Sequence, residues 1–243
     1  MIAESHKFGL QVDTHRFRRG QPGYPERVAR LLGFDAPDVI ECLGSSGIPE
    51  RVPLGLICSV SCPGSVIVQT YDAVRALRDA GVVVAGGFHS PMEMECLDFL
   101  LRGPQAVLLF AATGVKHVVL RADARRALVE GRLCVLSRFD DVVERATAEQ
   151  GSLRNDLVAA VSEGLFVPYA APGGKAEATA LRALTRGQTV LTLADEANSP
   201  LVRAGATEVS AAELSLPRTY ESVTRNAWSD RAIDSPRPSV VTR

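Results

Sequence analysis

A chain of 243 residues that is 46% hydrophobic and 23% charged is long enough to bury one large core. Its formal net charge of -1 gives no overall attraction to nucleic acid, so any such contact must depend on a local basic patch. Residues 1–20 carry charge throughout and the longest apolar stretch, 106–112, is too short to span a bilayer, so we expect neither export nor membrane insertion.

The N-terminal region, residues 1–51, is predicted to be an arm followed by a short helical segment. Residues 1–23 are polar, with basic side chains crowded at 15–19, and predict a loosely ordered, solvated arm. Residues 25–33 place apolar side chains at helical spacing and end in Gly33, which predicts one short helix.

From residue 52 to residue 210, short apolar runs alternate with longer amphipathic stretches. The runs predict strands over 54–59, 82–85, 106–110, 133–136, 164–167 and 189–193, with a weaker candidate over 118–120. The stretches between them predict helices over 65–79, 92–101, 122–129, 153–162 and 176–185. This alternation predicts an α/β protein with a Rossmann-like parallel sheet and helices on both faces.

The pattern fades at the C-terminal end. Residues 211–243, of which the last part is rich in Ser, Pro and Arg, predict an extension that is partly disordered. The five cysteines form no CxxC pair and show no spacing with histidine that suits zinc, so we expect a reduced, cytoplasmic protein without a metal site.

Three of the predicted strands run into loops of small residues. The small residues are Ser59, Ser61, Gly64 and Ser65 in the first loop, Gly86 and Gly87 in the second, and Gly173 and Gly174 in the third. Ligands of open parallel sheets bind outside the carboxyl ends of the strands, so we expect the loops to share one edge. Backbone N–H groups at glycine turns and helix N-termini bind anions, which predicts a phosphate-binding rim. We call these loops, residues 59–65, 86–89 and 171–175, the candidate rim.

Two cations accompany these loops. Lys175 stands at the entrance of the helix that follows the diglycine turn, and its ammonium group suits a phosphate. Arg154 is predicted near the start of the preceding helix, where it can pair with the same phosphate, and Asn155 can cap that helix or cross-link loops. The alternatives are a solvent-facing lysine in a tight turn and a surface cap.

The loop after the second strand supplies further candidates. His89 can donate a hydrogen bond to a ligand, although a lone histidine is more often structural, and Phe88 offers a stacking face for a base. Lys116, beyond the next strand, adds positive charge.

Catalytic motifs are missing from the sequence. The diglycine turn lacks the longer loop of a Walker A motif, and the serines lack a GxSxG elbow. Glu93 and Glu95 stand too close in sequence to face the same direction on a helix. We therefore expect no cofactor, and more readily a binding protein than an enzyme.

Several segments resemble, in order, the DNA-processing protein A (DprA/Smf) family. They are Tyr24-Pro25, 36–44, Gly86-Gly87, Arg154-Asn155, 172–175 and 201–206, and the resemblance runs from about Tyr24 to Val209. It implies an extended Rossmann fold that binds single-stranded DNA and self-associates, so we expect a homodimer. It also implies a strand-exchange recombinase as partner, and a role in DNA uptake and recombination during natural transformation.

The chain departs from the family pattern at four places. The family's Gly-Ser-Arg signature has no Arg in 59–65, and the Asp and His that follow its glycine segment are replaced. Arg-Asn-Arg becomes Arg154-Asn155-Asp156, and Ser-Gly-Ser becomes Gly173-Gly174-Lys175. These departures indicate a divergent member.

Two alternatives share the same loops. Lysine-decarboxylase-like phosphoribohydrolases carry Pro-Gly-Gly-x-Gly-Thr-x-x-Glu, of which 172–174 agree while Ala180 stands where the Glu belongs. Such a hydrolase, which releases the base from a nucleoside monophosphate, would have to use Glu177 as its displaced catalytic acid. The other alternative is a sensor that binds a small nucleotide and signals to a partner.

Overall fold

The computed structural model describes residues 12–45 and 53–214. Those residues form one nine-stranded sheet. Its strands are β1 (Thr14–Arg18), β2 (Val39–Leu43), β3 (Leu54–Leu56), β4 (Val84–Gly86), β5 (Val107–Ala111), β6 (Leu133–Ser137), β7 (Gly164–Phe166), β8 (Thr189–Leu193) and β9 (Thr207–Val209). Their order across the sheet is β1-β2-β6-β5-β4-β3-β7-β8-β9, with β3 to β9 mutually parallel and β2 antiparallel to both of its neighbours.

Helices cover both faces of this sheet. They are α1 (Glu26–Leu32), α2 (Gly64–Asp79), α3 (Pro91–Leu100), α4 (Ala122–Val129), α5 (Ala148–Val161), α6 (Lys175–Thr185), α7 (Ser199–Arg203) and α8 (Ala211–Leu214). One apolar cluster contains α2, α3, α4 and α8, and a second contains α1, α5, α6 and α7. The predicted Rossmann-like fold is confirmed. Among the described helices, none has the length and apolar character needed to cross a membrane.

Strand β5 shows why the sheet is buried on two sides. All five of its residues are buried, as expected for a parallel strand with a helix layer on each face. Val107 and Leu109 pack into the first cluster, whereas Leu108 and Phe110 pack into the second. Because side chains alternate along a strand, one continuous apolar run supplies both cores.

The order of the strands locates the switch point of the sheet. From β3 the chain moves outward through β4, β5 and β6, and it then returns to the other side of β3 to form β7, β8 and β9. The crossover therefore opens a crevice between the carboxyl ends of β3 and β7. In doubly wound sheets this is where ligands bind.

The N-terminal prediction is wrong for part of the arm. Residues 14–18 form β1, an edge strand that pairs with β2, and neither strand was predicted. Exposed residues alternate with half-buried ones along β1, and Arg16 binds the buried Glu41 of β2 at 2.5 Å. The helix over 25–33 is confirmed as α1.

One further expectation fails. The weak strand candidate over 118–120 follows a short turn and forms no strand, and Val119 is exposed. Within the predicted C-terminal extension, Ala211–Leu214 form α8 and pack against the first cluster. The rest of the extension and residues 1–11 lie outside the described residues, and the domain boundaries at 52 and 210 stay a prediction.

Helix α5 begins at Ala148, five residues before the start that the sequence predicted at residue 153. Thr147 Oγ1 accepts a hydrogen bond from the Gln150 N–H at 3.2 Å, and Gln150 Oε1 accepts one from the Thr147 N–H at 2.7 Å. This capping box begins the helix at Ala148. Arg154 and Asn155 consequently lie well inside α5 and not near its start.

Asn198 ties together the ends of β7 and β8. Its side chain is 1% exposed, and its Nδ2 donates to the carbonyl oxygens of Pro168 at 2.8 Å and Leu193 at 3.0 Å. Both carbonyls belong to the carboxyl edge of the sheet. The amide thus fixes the position of the loop that leads into the diglycine turn.

We expect Asn198→Ala to lower the free energy of unfolding by about 1–3 kcal/mol, because buried carbonyl groups lose their donor. Asn198→Asp is expected to cost more, since a carboxylate then faces two carbonyl oxygens. Urea denaturation measures both values. Glu196→Ala, an exposed change in the same turn, is the control and should stay within about 0.5 kcal/mol of wild type. Equal stability of Asn198→Ala and wild type would contradict this role.

Candidate functional site

The structure brings the three loops of the candidate rim together. They follow β4, β3 and β7, which are neighbours with β3 in the centre. Ser59 Oγ accepts a hydrogen bond from the Ala171 N–H at 2.8 Å, and the Ser59 N–H donates to the Tyr169 carbonyl at 3.1 Å. Ser59 therefore joins the two loops that border the switch point.

A buried carboxylate joins the other pair of loops. Glu93 Oε1 accepts the Cys58 N–H at 2.9 Å, while Oε2 accepts the His89 N–H at 2.9 Å and the Ser90 N–H at 3.4 Å. Glu93 thus lies where the amides at the ends of β3 and β4 converge. From the sequence, Glu93 is considered only together with Glu95 and is given no role. The pattern Ser90-x-x-Glu93, a capping box that begins α3, is the signal that could have found it.

The diglycine turn is arranged in a similar way. The Gly173 N–H donates to Glu177 Oε2 at 2.7 Å, and the Gly174 N–H donates to the Ala171 carbonyl at 2.9 Å. Gly173 has a φ of 70°, a conformation that favours glycine. The Gly173 amide is therefore bound by a carboxylate of the chain itself, from Glu177, as the amides at the ends of β3 and β4 are bound by Glu93.

Arg154 is a buried cation with few partners. Its residue is 8% exposed, and Nη1 donates to the Phe110 carbonyl at 3.5 Å, at the carboxyl end of β5. In the described part of the chain its buried Nε has no hydrogen-bond partner. Burial lowers the pKa of Arg154, and the nearby charge of Glu93 acts in the opposite direction. Such an under-satisfied buried group at a strand end is a candidate for function.

Gly87 is required by the position of this guanidinium. A Cβ atom built on Gly87 would lie 1.9 Å from Arg154 Nη1 and 2.1 Å from its Cζ. Any side chain at position 87 would therefore push the guanidinium away. Because the displaced atoms are the far end of a flexible side chain, such a change can move the cation without breaking the fold.

Gly86 serves a different neighbour. Its Cβ position would lie 2.9 Å from the ring of Phe88, which folds back into the core and is buried. The prediction that Phe88 stacks on a base is wrong for this reason. Phe88 also has a φ of 46°, a strained conformation of the kind that is concentrated at functional sites.

The residues that follow Arg154 connect two helices. Asn155 is buried inside α5, so it is not the cap that the sequence predicted. Asp156 accepts Arg182 Nε at 2.9 Å and binds Arg186 Nη1 at 3.2 Å. The acidic residue at position 156 therefore holds α6 against α5, and α6 begins at Lys175.

The remaining candidates are exposed. Lys175 and His89 are exposed residues of the candidate rim. Lys116 stands further along the edge, after β5, and Asp141 binds its Nζ at 2.7 Å and raises its pKa. The other exposed candidates are at the entry to α2: Ser61, Gly64 and Ser65.

Residues 16–223 match the family described as DNA recombination-mediator protein A. The chain belongs to that family. The match covers most of the sequence and confirms the resemblance to DNA-processing protein A. A comparison with curated proteins finds no significant match.

Two solved structures of DNA-processing protein A share the fold. The protein from Streptococcus pneumoniae is 18% identical with a TM-score of 0.70, and the match covers 83% of this chain and 73% of that one. The protein from Helicobacter pylori is 14% identical with a TM-score of 0.65, covering 90% of this chain and 98% of that one. The Helicobacter pylori structure is described as revealing a mode of single-stranded DNA binding by that protein.

We expect Glu93→Gln to lower the free energy of unfolding by about 1–3 kcal/mol. The glutamine side chain has an NH2 group in place of one carboxylate oxygen, and this group would face backbone N–H groups that then have no acceptor. Urea denaturation measures the change. Glu95→Gln, an exposed change on the same helix, is the matched control and should stay within about 0.5 kcal/mol of wild type. Equal effects of the two substitutions would show that the buried carboxylate does not hold the loops.

Proposed function

We propose that this chain binds single-stranded DNA through phosphate contacts along the candidate rim. The observation that supports this most is the guanidinium of Arg154, buried at the ends of β4 and β5 with one long hydrogen bond among the described residues. Burying a cation is costly unless an anion or several acceptors compensate it. A phosphate oxygen is a suitable partner because guanidinium groups bind phosphates with two parallel N–H bonds.

The arrangement of the cations favours a polymer over a single nucleotide. Arg154 lies at the β4 side of the rim, and Lys175 follows β7 on the other side of β3. Strands β4 and β7 are two positions apart, which corresponds to about 10 Å across the sheet. A strand with repeated phosphates can contact the two cations through different phosphates, whereas a single phosphate group would have to bridge the space between them.

The internal carboxylates favour the same ligand. Glu93 and Glu177 already accept amides of the loops after β3, β4 and β7, which leaves fewer of them for the phosphate of a small nucleotide. Binding must then depend on side-chain cations, which act at the surface and suit a flexible backbone. Among the described residues, no contact favours the phosphoribohydrolase or the nucleotide sensor over DNA binding.

The proposed cellular role and partners are inferred from the family. We include in the proposal a cytoplasmic function in DNA uptake and recombination, self-association as a homodimer, and a strand-exchange recombinase as partner. Membership of the DNA recombination-mediator family supports these points.

We expect Arg154→Ala, Gly87→Ala and Lys175→Ala each to weaken binding of a labelled oligothymidylate about tenfold, which equals about 1.4 kcal/mol for each lost charged contact. The dependence of log K on log salt should become shallower by about 0.7 for each lost phosphate contact. Fluorescence anisotropy over a series of salt concentrations measures both quantities. Gly87→Ala is the sharpest variant, because it moves the guanidinium and leaves the charge of the protein unchanged.

Arg125→Ala serves as the matched control. Arg125 is an exposed cation on α4, away from the three loops, and its removal should leave affinity and salt dependence near those of wild type. The proposal fails if the three rim variants bind like this control. Displacement of the oligomer by equimolar nucleoside monophosphate would instead favour the nucleotide sensor.

A further inference from the structure

Two cysteines face each other in the loop that follows β3. The Sγ atoms of Cys58 and Cys62 are 3.5 Å apart. A disulfide requires a separation of about 2.05 Å, so a movement of about 1.5 Å would bring the sulfurs into bonding distance. The residues between them belong to the candidate rim, next to the switch point.

The two thiols differ in exposure and in acidity. Cys62 is partly exposed, whereas Cys58 is 4% exposed. The hydrogen bond between the two sulfurs lowers the pKa of Cys62, while burial acts in the opposite direction. The same hydrogen bond raises the pKa of Cys58, and burial adds to that increase. Cys62 is therefore the more accessible and the more acidic thiol of the two, and Cys58 is shielded but in contact with it.

We propose that Cys58 and Cys62 form a redox-active dithiol that a hydroperoxide oxidises to an intramolecular disulfide. In the first step the Cys62 thiolate attacks one peroxide oxygen, the O–O bond breaks, and the other oxygen leaves as water or an alcohol after taking up a proton. Cys62 becomes a sulfenic acid. The Cys58 sulfur then attacks the Cys62 sulfur, the S–O bond breaks, and hydroxide leaves with the Cys58 proton as water. The two sulfurs together lose two electrons, and the peroxide gains them.

The bridge would alter the contacts that hold the candidate rim. The Cys58 N–H binds Glu93, and the adjacent Ser59 hydroxyl binds the Ala171 N–H. When the two sulfurs move together, the backbone of residues 58–62 moves with them. This shifts the Cys58 amide and the Ser59 hydroxyl, which join this loop to the two neighbouring loops. We expect the disulfide to weaken binding of single-stranded DNA by at least about fivefold, the lower end of typical coupling between two sites. This consequence, unlike the dithiol itself, rests on the proposed function.

Peptide mapping after limited oxidation tests the chemistry. The native, reduced protein is treated with hydrogen peroxide, alkylated and digested with trypsin. Cleavage after Arg51 and Arg75 gives a peptide, 52–75, that contains both Cys58 and Cys62 and no other cysteine. The expected product is this peptide two hydrogens lighter and without an alkyl group. A peptide 52–75 alkylated at both cysteines after oxidation, or one cross-linked between two molecules, would overturn the proposal.

Two of the other three cysteines, Cys42 and Cys134, provide an internal control. Cys42 and Cys134 are both buried and both approach the Ser45 carbonyl, but they have no exposed partner to react first. They lie on separate tryptic peptides, 31–51 and 133–138. We expect these thiols to stay reduced under the same treatment and to be alkylated only after denaturation.

Two variants test the order of the steps. Cys58→Ser should stop at the Cys62 sulfenic acid, which dimedone traps, because the second thiol is missing. Cys62→Ser should leave Cys58 unmodified, because it is buried. Dimedone labelling of Cys58 in the Cys62→Ser variant, with no labelling of Cys62 in the Cys58→Ser variant, would overturn the assignment of Cys62 as the attacking thiol.

DNA binding is measured on the same samples before oxidation, after oxidation and after reduction with dithiothreitol. Tight binding that is lost on oxidation and regained on reduction is the expected result. If the bridge forms but the reduced protein does not bind DNA, the proposed function fails and the dithiol stands. If the reduced protein binds DNA and no bridge forms, the dithiol fails alone. Equal affinity of the reduced and oxidised forms would refute the effect on DNA.

Discussion

The carboxyl edge of the sheet depends on the buried carboxylate of Glu93. It accepts backbone N–H groups from the ends of two neighbouring strands, at Cys58, His89 and Ser90. A charge in the protein interior is tolerated only when hydrogen bonds or an opposite charge compensate it, and these three donors supply the compensation. The same carboxylate acts on Arg154 by opposing the effect of burial on its pKa. One acid therefore both positions two loops and favours a cation beside them.

Acidic side chains change how an anion can be recognised at this edge. In many phosphate sites the backbone amides of a glycine loop contact the ligand directly. Here Glu93 and Glu177 bind such amides, and the loops are closed by the chain itself. A ligand phosphate must then meet cations on side chains. This arrangement gives less shape selectivity for one phosphate group and suits a repeated, flexible polyanion.

The sequence predicted the strands that contain no charged residue and missed β1, β2 and β9, each of which contains at least one. Strand β5 is a continuous apolar run, whereas β1 alternates with arginine and β9 has two exposed residues out of three. At the rim, glycine pairs located the loops correctly because backbone geometry is a local property. The partners of their amides depend on where Glu93 and Glu177 point after packing, which is a tertiary property. Of the two, only Glu93 is marked by a local capping pattern.

The acid at position 156 has a structural role in the packing of α6 against α5. The Arg-Asn-Arg pattern that the chain resembles has its second arginine there, and this chain has Asp156. Asp156 binds Arg182 and Arg186 near the end of α6, and the helix whose position is fixed in this way begins with the exposed Lys175. Positive charge is thus removed from the interior of α5 and provided on the surface, next to the diglycine turn. Because a charge costs less free energy at the surface than in the interior, this exchange keeps a cation on the rim while reducing the cost of burial.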